Sequence, residues 1–110
     1  MISPLTHAIE LFNTQQFFRC HEVLEEVWTH EQGPRRLFLQ SLIHFAVGFY
    51  HWQRGNPTGA DLQLRKGLSK LASYLPSCEG IETARLHRDV AAELERIPSG
   101  TLEFPRIMLT

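Results

Sequence analysis

The tripeptide Gly55-Asn56-Pro57 stands between two segments of helical rhythm, and it constrains the chain more than any other stretch. Glycine can take the left-handed conformation that ends one helix. Asparagine can cap the next, and proline suits a first helical turn, where its missing N–H would have no partner anyway. Residues 35–54 and 57–75 are therefore predicted to form an antiparallel helical hairpin. Further breakers stand at Thr14-Gln15-Gln16, Gln32-Gly33-Pro34, Pro76 and Pro98-Ser99-Gly100. They divide the chain into five predicted helices, over 4–13, 16–30, 35–54, 57–75 and 81–97, and no strand pattern competes. The expected fold class is all-α: a compact bundle of about five helices, built from two helical hairpins plus a C-terminal helix and an extended tail.

With 110 residues, 43% of them hydrophobic, residues 1–98 can form one helical domain around its own core. Residues 99–110 contain Phe104-Pro105-Arg106-Ile107-Met108-Leu109, too apolar for a solvated tail and too proline-marked for a helix. They are expected as an extended strap on the bundle or on a second subunit. A shift of about 40 residues sets Phe12 on Trp52, Cys20 on Ala60, Leu24 on Leu64 and Trp28 on Leu68. Each half then reads as helix, tight turn, and a helix whose first buried position is small, which is tetratricopeptide-like local geometry. Two such units fall short of the roughly three that a solenoid needs.

Composition excludes several function classes. Eleven basic and 12 acidic residues give a formal charge of -1 with no long run of either sign, so the electrostatic footprint of a nucleic-acid binder is missing. No segment approaches the roughly 20 apolar residues that span a bilayer, and the start of the chain lacks the basic-then-apolar order of a signal peptide. Cys20 and Cys78 form no C-x-x-C unit, and Cys20 falls inside an apolar helical pattern. The expectation is a soluble cytoplasmic protein, without nucleic acid or membrane partners, that works as a homodimer or with another protein.

Two helices interrupt their apolar faces with polar groups. At about 100° per residue, the second predicted helix places Phe17, His21, Leu24, Glu25 and Trp28 on one arc, with Glu22 at its boundary and Glu26 and Arg19 outside. The third is apolar almost all round, as expected of a central helix, except for a line through Gln40, His44 and His51 with Arg54 at its end and Gly48 beside it. If these lines oppose each other, they form a buried His/Glu cluster between helices 2 and 3. A buried carboxylate at Glu25 would need a proton, a cation or several hydrogen bonds, and His21, His44 and Gln40 are its candidate partners. Arg35 and Arg36, following Gly33-Pro34, are expected as a solvated pair at a helix start.

Three functional readings follow. The first is a helical scaffold or interaction protein in which the cluster, with Glu22, Trp28, Gln40, His51 and Arg54 around it, is a register-fixing hydrogen-bond network. The second is a divalent-metal site held by His21, Glu25 and His44, since histidine and carboxylate at i and i+4 can share an ion in a bundle core. The third is a metal-dependent, hydrolase-like enzyme using the same cluster. The H-E-x-x-H protease motif is not met, because Glu25 stands where the second histidine belongs, and no poised nucleophile is evident.

The runs FNTQQFFRCHEVLEEVW and FLQSLIHFAVGFYHWQRGNPTGA, followed by a leucine-spaced helix, resemble the small all-helical family known as domain of unknown function 309. The likeness covers about residues 8–75. It is carried by the H-E-x-x-E-x-x-W pattern of His21, Glu22, Glu25 and Trp28, with Gln40 and the Arg54-Gly55-Asn56 turn matching as well. It implies a compact helical fold and no particular activity.

Overall fold

Ser3 starts the first helix by accepting the Thr6 N–H on its hydroxyl at 3.1 Å, with Pro4 in the first turn. The computed structural model, which describes residues 2–110, places helices α1 at Pro4–Asn13, α2 at Phe17–His30, α3 at Arg36–Gln53, α4 at Pro57–Leu71 and α5 at Thr83–Arg96. Gln15, at φ 64°, makes the turn between α1 and α2. Gly55, at φ 74°, ends α3, and the Asn56 side chain accepts the Gly59 N–H at 3.0 Å to begin α4. The sequence extends helix 4 to residue 75, whereas the α-helix ends at Leu71 and tightens into a 3₁₀ turn at Ala72–Tyr74. Thr83 holds that turn by donating to the Tyr74 carbonyl at 2.6 Å, and the Tyr74 hydroxyl donates to Pro34 O at 2.9 Å.

Consecutive helices pack on each other, α1 on α2, α2 on α3 and α3 on α4, and α5 then packs on α4. The internal repeat is visible in burial: Cys20 and Ala60, and likewise Leu24 and Leu64, are buried at corresponding positions. Small residues bring α3 and α4 unusually close. A Cβ added to Gly67 would lie 2.5 Å from Phe45 Cε1 and 3.0 Å from the Ser41 carbonyl oxygen. One added to Gly48 would lie 2.8 Å from Leu64 Cδ2. Ser41 and Ala60 are buried in the same fold.

The last residues run extended over the bundle. The Asn13 side chain bonds Ile107 twice, donating to its carbonyl at 3.0 Å and accepting its N–H at 2.7 Å. The Phe104 ring packs on Phe17 and Phe49, with centroids 5.1 and 5.7 Å away, and Phe12 completes the aromatic group. Beyond Ile107, the Glu82 N–H reaches the Met108 carbonyl at 2.9 Å, and Ile81 pairs with Leu109 in an isolated antiparallel bridge. Among the described residues, no helix is long and apolar enough to cross a membrane.

Gly67→Ala should cost about 1–3 kcal/mol by overpacking the α3–α4 contact. Gly55→Val should cost about 1 kcal/mol or more, because a β-branched residue resists positive φ. An unchanged melting midpoint in either variant would contradict the corresponding assignment.

Candidate functional site

The polar line of α3 faces α4. The His44 ring is half-buried there, with Nδ1 at 2.8 Å from Gln63 Oε1 and Nε2 at 2.7 Å from Lys70 Nζ. An ammonium has only donors, so Nε2 must accept and the ring proton must sit on Nδ1, where it donates to the Gln63 amide oxygen. Both ring nitrogens are therefore committed in the neutral form. Burial is the main force lowering the His44 pKa below its ordinary value of 6.5. The Gln63 hydrogen bond opposes it, and the charges of Lys70 and Lys66 add to the lowering. Lys70 is likewise lowered from 10.5, by burial and then by Lys66. His51, the next member of the line, lies against the start of α4, its Nδ1 3.4 Å from the Asn56 side-chain nitrogen.

The cluster expected between helices 2 and 3 does not form, and Glu25 is not buried: its side chain is 54% exposed, against 21% for His21. His21 Nδ1 lies 3.0 Å from the Phe18 carbonyl, and its Nε2 lies 3.3 Å from Glu25 Oε1. Glu22 is exposed and meets Arg19 at 4.0 Å, Gln40 is half-buried on α3, and the Arg54 guanidinium stands 5.8 Å from the Tyr50 ring centroid. The metal set His21, Glu25 and His44 is thus split between the surface of α2 and the α3–α4 interface. Among the described residues, no three His, Cys, Asp or Glu side chains are grouped to hold a metal ion. The physical cause is α3's choice of neighbour. Gly48, on the His44 side of the helix, admits α4 closely, and the polar line turns toward that contact.

Trp28 and the two arginines form a second assembly. Arg36 stacks on the Trp28 ring, its guanidinium carbon 4.0 Å from the centroid, and donates to the carbonyls of Trp28 at 3.0 Å and Glu31 at 2.7 Å. A cation on the last carbonyls of α2 complements the helix dipole. Arg35 makes a two-pronged bond to Glu79, 2.8 Å on each arm, and reaches Glu31 at 3.5 Å. The expected solvated pair is therefore a clamp joining α2, the start of α3 and the turn before α5. The Trp28 indole Nε1 is buried without a partner.

Beside this clamp is a recess of about 640 Å³ lined by Val23, Val27, His30, Glu31 and Arg35. A second recess of about 630 Å³ shares Val27 and Arg35 with it and reaches Glu79 and Leu109. Neither Lys70 nor Gln63 is legible as a site residue from one sequence, because their roles depend on which helix α3 faces. Gly48, adjacent to the polar line, is the signal that identifies that face. Arg36 is more legible, since the short Gln32-Gly33-Pro34 connection must return the chain to the carbonyl end of α2.

The family described as Domain of unknown function (DUF309) matches residues 5–62. The chain is 28% identical over 96 residues to the uncharacterized protein YpuF of Bacillus subtilis (strain 168), an alignment covering 84% of this chain and 55% of YpuF. It is 28% identical over 94 residues to an uncharacterized protein of Aquifex aeolicus (strain VF5), covering 84% of this chain and 27% of that one. The chain therefore spans about half the length of the first relative and about a quarter of the second.

Because His44 has a lower pKa in the folded chain than its ordinary 6.5, the unfolded state takes up that proton first as pH falls. This contribution to stability is present above pH 6.5 and is lost as pH drops through that value toward the folded pKa. Denaturant unfolding between pH 7.5 and 5 should show a steeper loss in wild type than in His44→Gln. Parallel curves would contradict the buried neutral ring.

Proposed function

The chain belongs to the DUF309 family, and on that premise we propose that it is a helical interaction module that receives a segment of a protein partner in the recess beside Arg35. The observation that carries this reading is the recess itself, which has the size of a binding site and the composition of an interface. Val23 and Val27 supply apolar floor, while Arg35, His30 and Glu31 give both signs of charge at the edge. The Arg35–Glu79 and Arg36–Trp28 clamps hold its walls in place, so little ordering would be needed on binding. We place the protein in the cytoplasm. Cys20 and Cys78 are free thiols, and burial pushes the Cys20 thiol up to about 12, which keeps it an inert core group. We also take residues 1–98 as one folding unit with 99–110 as its strap, as the Asn13–Ile107 bonds suggest.

A divalent metal remains a second reading because His21 Nε2 and Glu25 Oε1 stand 3.3 Å apart on consecutive turns of α2. Two ligands alone make a weak site, and with His44 at the α3–α4 interface the hydrolase-like mechanism has no third ligand among the residues proposed for it.

Peptides selected from a random library on the intact chain should lose affinity about tenfold or more with Val27→Glu, the loss expected when a charge enters a buried contact patch. They should tolerate Leu62→Glu, because Leu62 is exposed on α4, outside the recess. Binders indifferent to Val27→Glu would contradict the assigned surface. In the same preparation, melting curves with chelator and with added zinc should coincide. A midpoint lowered by chelator and restored by zinc would favour the metal reading.

A further inference from the structure

The chain has two lysines, Lys66 and Lys70, one turn apart on α4. Their surroundings differ. Lys66 is exposed, whereas Lys70 is half-buried with its Nζ 2.7 Å from His44 Nε2. The His44 ring cannot rotate freely to release that contact, since its Nδ1–H is engaged by Gln63 at 2.8 Å. Lys70 therefore has an amine whose nearest polar neighbour is the lone pair of a neutral, oriented imidazole. Burial, and then the charge of Lys66, lowers the Lys70 pKa below its ordinary value.

We propose that Lys70 is a self-acylating modification site for small acyl phosphates, with His44 as the proton acceptor. The neutral amine attacks the acyl carbon with its nitrogen lone pair, forming the C–N bond. The C–O bond to phosphate then breaks, and its electron pair leaves with the phosphate. The proton shed by the nitrogen passes to His44 Nε2 and from there to the departing phosphate or to water. Nothing is oxidised or reduced, and the products are an amide on Lys70 and inorganic phosphate. Each group present has a use in this step. Gln63 accepts from Nδ1–H and would stabilise the transient imidazolium, as an oriented acceptor does for a catalytic histidine. Lys66 supplies positive potential for the phosphoryl end of the donor. The lowered proton affinity of Lys70 raises the fraction of free amine near neutral pH relative to an ordinary lysine.

Acylation would remove the Lys70 charge and end the ammonium's donation to Nε2. His44 would then be able to take up a proton without facing a cation at hydrogen-bond distance. The modification would thus change the charge state of the α3–α4 interface by way of the same two residues.

Lys66 is a built-in control for the test. The intact chain is incubated with acetyl phosphate near pH 8, and the acetyl groups on Lys66 and Lys70 are located and counted by fragment-ion mass spectrometry over time. Lys70 should react about tenfold or more faster than Lys66, a small part of the roughly 10² that a positioned base can contribute. His44→Gln should bring the Lys70 rate to within about twofold of Lys66 while leaving Lys66 unchanged, and a melting curve of the variant checks that it folds. The wild-type ratio decides even if that variant unfolds. Rates for Lys66 and Lys70 within about twofold in wild type would overturn the proposal, as would a Lys70 advantage that survives in folded His44→Gln.

Discussion

The close approach of α3 and α4 is the contact on which the rest of the molecule depends. Gly48 and Gly67 leave no room for a Cβ between the two helices, and Ser41 and Ala60 are buried in the same fold. Interiors are packed too densely to absorb an extra methyl group at such points without shifting a neighbour. With α4 pressed against one side of α3, where Phe45 meets Gly67, Phe49 on the other side is left to α1, α2 and the C-terminal strap. Phe49 meets Phe12, Phe17 and Phe104 there, at centroid distances of 5.9, 5.5 and 5.7 Å.

That arrangement also separates the polar groups into independent sites. His44 and His51 go with α3's α4-facing side, where one meets Gln63 and Lys70 and the other the Asn56 cap. His21 and Glu25 stay on the outer face of α2, where water can solvate the carboxylate and no burial penalty has to be offset. The arginines after Pro34 resolve a different problem. The last carbonyls of α2 need donors, and Arg36 supplies them while covering the Trp28 ring. Arg35 then ties that corner to Glu79, far away in sequence, and so defines one wall of the recess.

Much of the architecture is legible in the sequence. Gly55, Asn56 and Pro57 act through local conformational preferences, so they could be read one residue at a time. The all-round apolar pattern of α3 marks it as central because a helix apolar on every side needs neighbours on every side. The position of the polar groups was not legible, because a helical wheel gives which residues share a face and not which neighbour that face meets. Glu25 shares an arc with Leu24 and Phe17, yet it sits at the arc's edge, where a carboxylate on a flexible stem reaches solvent. Lys70 and Gln63 read as ordinary surface residues of an amphipathic helix, and their contacts with His44 required the α3–α4 register. Glu79 could not be paired with Arg35 without knowing how the turn before α5 folds back.

The α3–α4 contact holds His44 as a neutral imidazole protonated on Nδ1, with Nε2 accepting from Lys70. Nitrogen-15 chemical shifts and two-bond proton couplings of the histidine rings report tautomer and charge directly. At pH 6.5 the His44 ring should be less than half charged, with its neutral form carrying the proton on Nδ1. A ring protonated on Nε2, or one already half charged at that pH, would contradict it.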